Sequence, residues 1–417
     1  MPVRPATTVL RSLGPGLVTG AADDDPSGIA TYSQVGAQFG YGLAWTMLFS
    51  FPLMAVFQAV CARIGAVTGA GIAHNLRRHY PIALLRVVVL LLLIANVINL
   101  GADLGAMGAA AELLIGGSAL LYTVMFGIIC ILLETFLNYA RYAQVLKWLT
   151  LSLFAYVAVA FAAQVPWGTA LHATLVPKLI FDAPHATALV AILGTTISPY
   201  LFFWQSSQEV EDARRRHVRP LGLNPRGAGS ELVRIRTDTV VGMGVSNLVA
   251  LFIILATAAT LHANGVTDIQ TSAQAAEALR PIAGPFTFYV FAAGIIGTGL
   301  LAVPVLAGSA AYAVAEVFQW QGSLESRPLQ ARAFYGTIAA ATLGGVALNF
   351  VGLDPIKALF WAAVVNGVLA APLMMVIMLI ATNRRIMGRL TLPLSMRLVG
   401  WLATAVMVVV TVGFFAI

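Results

Sequence analysis

Residues 14–32 read GPGLVTGAADDDPSGIATY, a stretch in which three consecutive carboxylates at 23–25 stand directly before a proline. Pro26 lacks a backbone donor and clashes with the preceding helical turn, and Gly28 lowers the cost of non-helical backbone. Because the flanking residues are largely apolar, the sequence predicts a helix that is interrupted near Asp25. The unwound backbone at such a break leaves carbonyl oxygens free to act as ligands beside the Asp25 carboxylate.

The composition of the whole chain places this interrupted helix in a membrane. Of the 417 residues, 59% are hydrophobic and only 10% are charged, and the mean hydropathy is +0.87. A soluble protein carries about a quarter charged residues, so a cytosolic enzyme and a secreted disulfide scaffold are excluded. The net charge of +7 does not indicate nucleic-acid binding, because the basic residues separate apolar runs. The sequence therefore predicts an all-α polytopic membrane protein.

Eleven apolar segments are long enough to cross a bilayer, which requires about 20 residues. They lie near 13–39, 42–62, 84–116, 119–138, 143–165, 186–208, 238–262, 284–318, 333–352, 356–381 and 398–417. With a cytoplasmic N-terminus, every lysine and arginine except Lys178, Arg280 and Lys357 falls on the cytoplasmic side, as the positive-inside rule favours. We therefore predict a cytoplasmic N-terminus and, because the number of spans is odd, an external C-terminus.

A second interruption is predicted in the sixth segment, where Gly194 and Pro199 lie near the middle. The interrupted segments are the first and the sixth, so each opens a block of five, and the second block crosses the membrane in the opposite sense. Paired broken helices in opposed halves are typical of secondary transporters. The predicted single transport domain over residues 1–417 comprises a first repeat at 1–165, a second repeat at 186–382 and an eleventh helix at 398–417.

The longest polar stretch, residues 209–236, is predicted to be a cytoplasmic loop between the two halves. It contains Arg214, Arg215 and Arg216 together with prolines and glycines. These arginines either fix the topology or bind anionic lipid headgroups. The lipid bilayer is in any case the environment that the composition requires.

With these motifs in place, the sequence resembles the NRAMP divalent-metal transporters over nearly its whole length. The family's first-span motif, glycine-proline-glycine followed by aspartate-proline-glycine-asparagine, is similar to residues 14–16 and 25–28. Residues 36–41 with Trp45, and residues 62–69, are similar to the family in the same order and spacing. The resemblance implies a leucine-transporter-like fold with helices 1 and 6 broken, no cofactor, and a location in the bacterial plasma membrane.

The resemblance also implies a metal site. Its ligands are the Asp25 carboxylate, the Ala22 carbonyl and the Thr195 carbonyl. The family's asparagine corresponds to Gly28, and the methionine of its sixth-span methionine-proline-histidine motif corresponds to Ser198. Both substitutions are expected to enlarge the cavity.

Two further carboxylates, Asp23 and Asp24, stand where the family usually has uncharged residues. They are expected to add negative charge near the entrance, with Asp24 a candidate ligand and Asp23 a candidate cavity residue. The alternative is a kink whose carboxylates lie in a water-filled vestibule and contact no ion. That alternative is weaker for Asp25 than for its two neighbours.

The substituted positions favour a hard cation. A thioether favours softer transition metals, whereas carboxylate, carbonyl and hydroxyl oxygens suit Mg²⁺ and Ca²⁺. Because Mg²⁺ loses its waters reluctantly, a roomy site with few protein ligands fits a partly hydrated ion. The sequence thus resembles the NRAMP-related magnesium transporters, a branch in which the methionine is absent. Mg²⁺ is the predicted substrate, with Mn²⁺ and Ca²⁺ chemically possible.

Proton coupling requires a titratable path. In proton-coupled members it uses a third-span aspartate and glutamate and the sixth-span histidines; the corresponding positions here are Leu100, Asp103, Tyr200 and Gln205. Only Asp103 titrates readily, and no histidine lies near the middle of a predicted span. We therefore predict uncoupled, gradient-driven uptake, with Asp103 and Tyr200 as candidate cavity or relay residues.

Two polar residues inside the predicted spans are each open to two interpretations. Asp103 acts as a relay or is hydrogen-bonded to backbone, and Asn366 joins the cavity or makes a plain interhelical hydrogen bond. Glu112, Glu134 and Glu316 lie nearer the span ends and are predicted to be interfacial.

Three alternative functions compete with uncoupled Mg²⁺ transport. A proton-coupled Mn²⁺ or Fe²⁺ transporter shares the same family. An amino-acid transporter could share the architecture, but the carboxylates at 23–25 would repel the substrate carboxylate. A membrane enzyme is disfavoured because the sequence contains no HExxH and no GxSxG motif.

Overall fold

Helices build the described part of the computed structural model, which covers residues 14–136, 153–163, 165–320, 322–352 and 354–417. In chain order the α-helices are α1 Pro15–Asp23, α2 Pro26–Phe39, α3 Trp45–Thr68, α4 Ile72–His79, α5 Ile82–Ile115, α6 Ala119–Phe136, α7 Phe154–Ala162, α8 Trp167–Leu175, α9 Ala183–Thr196, α10 Pro199–Arg215, α11 Ala228–Thr260, α12 Ser272–Glu277, α13 Arg280–Ala283, α14 Thr287–Phe318, α15 Arg332–Leu348, α16 Pro355–Thr382, α17 Arg384–Met387 and α18 Leu394–Ala416. No strand occurs among these residues, so the prediction of an all-α protein is confirmed.

Nine helical segments of the described chain are long and apolar enough to cross a membrane. They match nine of the predicted spans, and the α1–α2 pair occupies the first predicted span. Most of the predicted span at 143–165 lies outside the described residues, and α7 is its described part.

Both predicted helix interruptions are present. The first helix stops at Asp23 and restarts at Pro26, and the second stops at Thr196 and restarts at Pro199. In each case proline occupies the first position of the new helix, where its missing donor costs nothing. Asp25 is the N-cap of α2, because its side chain accepts a hydrogen bond from the Gly28 backbone amide. The breaks therefore follow from local sequence.

The short helix α1 is held against α11 by close backbone contact. A Cβ atom on Gly16 would lie 2.6 Å from the Thr239 nitrogen, and one on Gly20 would collide with the backbone of Gly242. The N-terminus of α1 is also capped by Asp238 of α11, whose two carboxylate oxygens accept from Gly14 N at 2.9 Å and Gly16 N at 2.7 Å. A carboxylate at this end complements the helix dipole. These contacts fix α1 relative to α11.

One prediction about span-end residues is wrong. Glu112 is exposed, as an interfacial residue should be, but Glu134 on α6 is buried with 5% of its surface exposed. Neither Glu134 carboxylate oxygen has a hydrogen-bond partner among the described residues. Glu134 lies on the side of α6 that packs against α5 and α15, where Gly127 admits the Val346 side chain. Helix packing, which proximity to a span end does not reveal, decided its burial.

A reciprocal pair of amides joins α5 to α16. Asn99 donates to the Asn366 side-chain oxygen at 2.7 Å, and Asn366 donates to the Asn99 oxygen at 3.0 Å. Both residues are buried, with exposures of 0% and 1%. Asn366 therefore makes the interhelical hydrogen bond that the sequence left as one of two roles.

The Asn99–Asn366 pair can be tested by substituting one or both residues with leucine. Asn366→Leu alone leaves the buried Asn99 side-chain oxygen without its donor and should lower the free energy of unfolding by about 1–3 kcal/mol, whereas Asn99→Leu/Asn366→Leu should recover most of that loss. The measurement is thermal unfolding of the purified protein in detergent. A double variant as unstable as the two single losses added together would contradict a mutual pair, and loss of transport in a stable double variant would place Asn366 in the cavity.

Candidate cation site

The two helix breaks meet at the Tyr200 hydroxyl. This hydroxyl lies 3.0 Å from Asp25 Oδ2 and 3.1 Å from the Ala22 carbonyl oxygen. Two of the predicted ligands, one on each side of the first break, therefore converge on one point of α10. The other Asp25 oxygen, Oδ1, accepts from the Gly28 amide at 2.7 Å, which fixes the orientation of the carboxylate. All four residues are buried.

Thr195 and Ser198 lie on either side of the break in the sixth span. The Ser198 hydroxyl lies 2.7 Å from the Thr195 carbonyl oxygen and 3.0 Å from that of Gly194, so it donates within the last turn of α9. The Thr195 carbonyl predicted as a ligand is thus also an acceptor for Ser198. With only one proton, the hydroxyl leaves carbonyl lone pairs of this turn available to another partner.

The space beside Gly28 is narrower than the sequence suggests. A Cβ atom added to Gly28 would lie 3.2 Å from Thr195 Oγ1 and 3.2 Å from the Asp23 carbonyl oxygen. The absent asparagine side chain therefore does not leave an open cavity, because the Thr195 side chain occupies the adjoining space. The expectation that this substitution enlarges the cavity is wrong on the Gly28 side.

Asp23 and Asp24 make their contacts with a different helix from Asp25. The Ser246 hydroxyl of α11 lies 2.8 Å from Asp23 Oδ2 and 3.1 Å from Asp24 Oδ1. The hydroxyl has one proton, so it serves one carboxylate at a time. Both aspartates are buried, which differs from the expected position near an entrance. Ser246 had no signal in the sequence, since a single serine in an apolar span is common.

Asp103 lies on α5 close to the start of α2. It is fully buried, it interacts electrostatically with Asp25, and its carboxylate faces the Ser27 backbone amide without reaching hydrogen-bond geometry. On α2, the buried hydroxyls of Ser27 and Thr31 also lack a partner in the described structure. Buried oxygens without donors are costly and require water or a cation to satisfy them.

The oxygens around Asp25 suit a cation that keeps part of its water. Within the described residues, no group of three or more histidine, cysteine, aspartate or glutamate side chains is arranged to hold a metal. A cation at Asp25 would instead use one carboxylate, backbone carbonyls and hydroxyls, which is the ligand set of Mg²⁺, Ca²⁺ and Mn²⁺.

The remaining positions that correspond to the family's proton path, Leu100 and Gln205, make packing and hydrogen-bond contacts. Leu100 is fully buried among apolar side chains. Gln205 on α10 accepts a hydrogen bond from the Thr19 hydroxyl of α1 and donates to Glu209 at 3.2 Å. Glu209 in turn pairs with Arg234 of α11 at 3.0 Å. Gln205 therefore links α1 to α10 and, through Glu209, to α11.

Comparison with known sequences assigns the family. The family model described as "Natural resistance-associated macrophage protein-like" (Nramp) matches residues 16–416. The chain is 26% identical over 412 residues to a protein of Klebsiella pneumoniae named divalent metal cation transporter MntH, covering 96% of this chain and 92% of that protein. It is 27% identical to the protein of the same name from Deinococcus radiodurans, covering 96% of this chain and 88% of that protein.

Solved structures share the fold. A crystal structure of the Eremococcus coleocola manganese transporter superposes with a TM-score of 0.78 at 15% identity, covering 99% of this chain and 87% of that chain. The transporter Mhp1, of the nucleobase-cation-symport-1 family, superposes with a TM-score of 0.61 at 14% identity, covering 96% of this chain and 92% of that chain. Because the family model spans nearly the whole sequence, the chain belongs to the Nramp family and is a transporter rather than an enzyme.

Proposed function

We propose that this protein moves divalent metal cations across the membrane by alternating access, with Mg²⁺ as its principal substrate. The observation that carries the proposal is the convergence of Asp25 Oδ2 and the Ala22 carbonyl on the Tyr200 hydroxyl, at the junction of two broken helices. Broken helices that meet in this way supply both a charged ligand and free carbonyls. The names of the curated relatives, divalent metal cation transporters, agree with a cation of this charge.

The choice of Mg²⁺ rests on the chemistry of the ligands. Ser198 places a hydroxyl where the family's methionine would place a thioether, so the groups near the break are all oxygens. Mg²⁺ is a hard cation that binds oxygen ligands and gives up its water reluctantly. Mn²⁺ also accepts oxygen ligands, and we propose it as a secondary substrate.

The unpaired oxygens fit the waters of a hydrated ion. A water bound to a cation donates its hydrogens outward, so the protein atoms around it must be acceptors. Asp23 Oδ1 and both Asp103 oxygens are buried acceptors without a described donor, and Asp103 interacts electrostatically with Asp25. We propose that these oxygens hold the outer waters of the ion while Asp25 binds it directly.

We further propose that transport follows the cation gradient without proton coupling. Tyr200 and Gln205 replace the sixth-span histidines and make fixed hydrogen bonds, so neither supplies a group that titrates near neutral pH.

Asp25→Asn should reduce Mg²⁺ flux into proteoliposomes by at least tenfold, because it removes the carboxylate charge that lies within hydrogen-bond distance of Tyr200 at the break. Asparagine is an effective N-cap, so α2 should remain folded, which alanine would not ensure. The measurement is uptake down a Mg²⁺ gradient together with thermal unfolding of the same preparation.

Asp354→Asn is the matched control for Asp25→Asn. Asp354 caps α16 through the Lys357 amide at 3.0 Å and also precedes a proline, but it is exposed. Its substitution should leave flux unchanged. Full flux in Asp25→Asn would remove the site assignment.

Ser198→Met should shift selectivity towards softer ions. A methionine thioether near the Thr195 carbonyl should increase competition by Mn²⁺ or Cd²⁺ against Mg²⁺ by about tenfold, since a sulfur ligand favours them. Ser198→Ala separates the gain of sulfur from the loss of the hydroxyl and should not produce this shift. Equal competition profiles in the methionine variant and the parent protein would contradict the hard-site argument.

The second candidate function is proton-coupled transport of Mn²⁺ or Fe²⁺, and Asp103 is the observation that favours it. It is a buried carboxylate without a described hydrogen-bond partner that interacts with Asp25, as a relay residue would. The structural neighbour from Eremococcus coleocola is named as a manganese transporter.

The two candidates differ in proton movement. Under a clamped membrane potential, uncoupled transport should leave the pH inside proteoliposomes constant while Mg²⁺ enters. Asp103→Asn should then keep the stoichiometry unchanged. A fall in internal pH that accompanies entry of the metal, and that Asp103→Asn abolishes, would establish the proton-coupled function instead.

A further inference from the structure

One end of the molecule carries positive charge that the chain itself does not neutralise. Six exposed arginines define this surface, which we term the basic rim: Arg78, Arg86, Arg384, Arg385, Arg389 and Arg397. They belong to two stretches, residues 26–102 and 355–417, that contain no aspartate or glutamate at all. In the described structure no carboxylate lies within ion-pairing distance of any rim arginine.

Two arginines of the segment predicted as a loop, residues 209–236, are paired, in contrast to the basic rim. The loop prediction is wrong at both ends of this segment, because residues 209–215 belong to α10 and residues 228–236 to α11. Arg215 pairs with Glu325 at 2.9 Å, and Arg216 pairs with Glu231 at 2.8 Å. Arg215 and Arg216, two of the three arginines that the sequence offered as lipid ligands, therefore already have protein partners. All six arginines of the basic rim, by contrast, lack a carboxylate partner in the described structure.

The rim arginines of the two stretches lie at the same end of the helices. Arg63, near the end of α3 and just before α4, donates to the Leu390 and Thr391 carbonyl oxygens at 2.9 and 3.1 Å. These carbonyls follow α17, and α16 also packs against α4. The arginines therefore form one surface around the bundle.

Two rim arginines mark the depth of this surface relative to the bilayer. Arg86 lies on α5 one turn from both Ile82, 49% exposed, and Leu90, 57% exposed. Arg397 lies on α18 between Leu394, 67% exposed, and the exposed side chains that follow it. A long cationic side chain on an apolar helix face extends along the face to the membrane interface. Both guanidinium groups are thus expected at the level of lipid phosphates.

We infer that the basic rim binds the phosphate headgroups of anionic phospholipids. Guanidinium groups bind phosphate oxygens in a bidentate manner, and the basic rim has no carboxylate to compete for them. The exposed apolar side chains beside Arg86 and Arg397 adjoin the acyl chains of the same lipids. A soluble phosphate ester matches only the guanidinium groups, whereas a phospholipid matches both features.

The test compares lipids added to the purified full-length protein in an uncharged detergent. Phosphatidylglycerol should raise the midpoint of thermal unfolding, and phosphatidylcholine should not. Each arginine near an anionic surface contributes about fivefold to binding. The variant Arg384→Gln/Arg385→Gln/Arg389→Gln should therefore require roughly a hundredfold more phosphatidylglycerol for half of the shift.

A matched control removes the same charge from the other end of the molecule. Lys178→Gln/Arg280→Gln/Lys357→Gln changes exposed residues that precede or begin α9, α14 and α16, whereas the basic rim adjoins the C-terminal end of α16. Its response to phosphatidylglycerol should equal that of the parent protein. If both triple variants lose the response equally, net charge accounts for it and the inference is wrong.

Two further measurements distinguish lipid binding from a folding defect and from binding of a soluble phosphate. If the Arg384–Arg389 variant does not fold, Arg78→Gln/Arg86→Gln should still weaken the response by roughly 25-fold, by the same contribution per arginine. Glycerol phosphate, which has the phosphate ester without acyl chains, should give no shift. A shift equal to that of phosphatidylglycerol would assign the basic rim to soluble phosphate esters and overturn the lipid assignment.

Discussion

The hydrogen bonds of a single carboxylate hold the centre of this transporter together. Asp25 Oδ1 caps α2 through the Gly28 amide, and Oδ2 reaches the Tyr200 hydroxyl on α10. The same hydroxyl reaches the Ala22 carbonyl at the end of α1. A cation that binds Oδ2 and Ala22 must therefore compete with the contact that joins the two broken helices. Binding at this point and the packing of α1 against α10 are thermodynamically linked.

The position of α1 is set by contacts that are far from this centre. Asp238 caps its first turn, Gly16 and Gly20 allow it to approach α11 closely, and Thr19 bonds to Gln205 of α10. Any movement of α1 away from these neighbours has to break charge-assisted hydrogen bonds at its end. Helix α1, which is nine residues long, thus connects the proposed site to the end of the molecule where Asp238 caps its first turn.

Local chemistry explains which parts of the fold and the site could be predicted. Both helix breaks were predictable because Pro26 and Pro199 act on their own backbone and on the preceding turn. The N-cap role of Asp25 follows from the same local pattern, an aspartate directly before a proline. By contrast, Ser246, Asp238 and Glu134 lie in helices where a polar residue gives no indication of the helix that it faces.

The sequence by itself determined the membrane environment, the number of apolar segments and the places where two helices break, because hydropathy and proline chemistry depend on near neighbours. Tertiary structure alone decided that Tyr200 bridges Asp25 and Ala22, that Thr195 fills the space beside Gly28, and that Asp23 and Asp24 face α11. The sequence of a helix that is apolar on all sides does not indicate which side faces a given neighbouring helix. Only the packing of the surrounding helices selects the face that each carboxylate occupies.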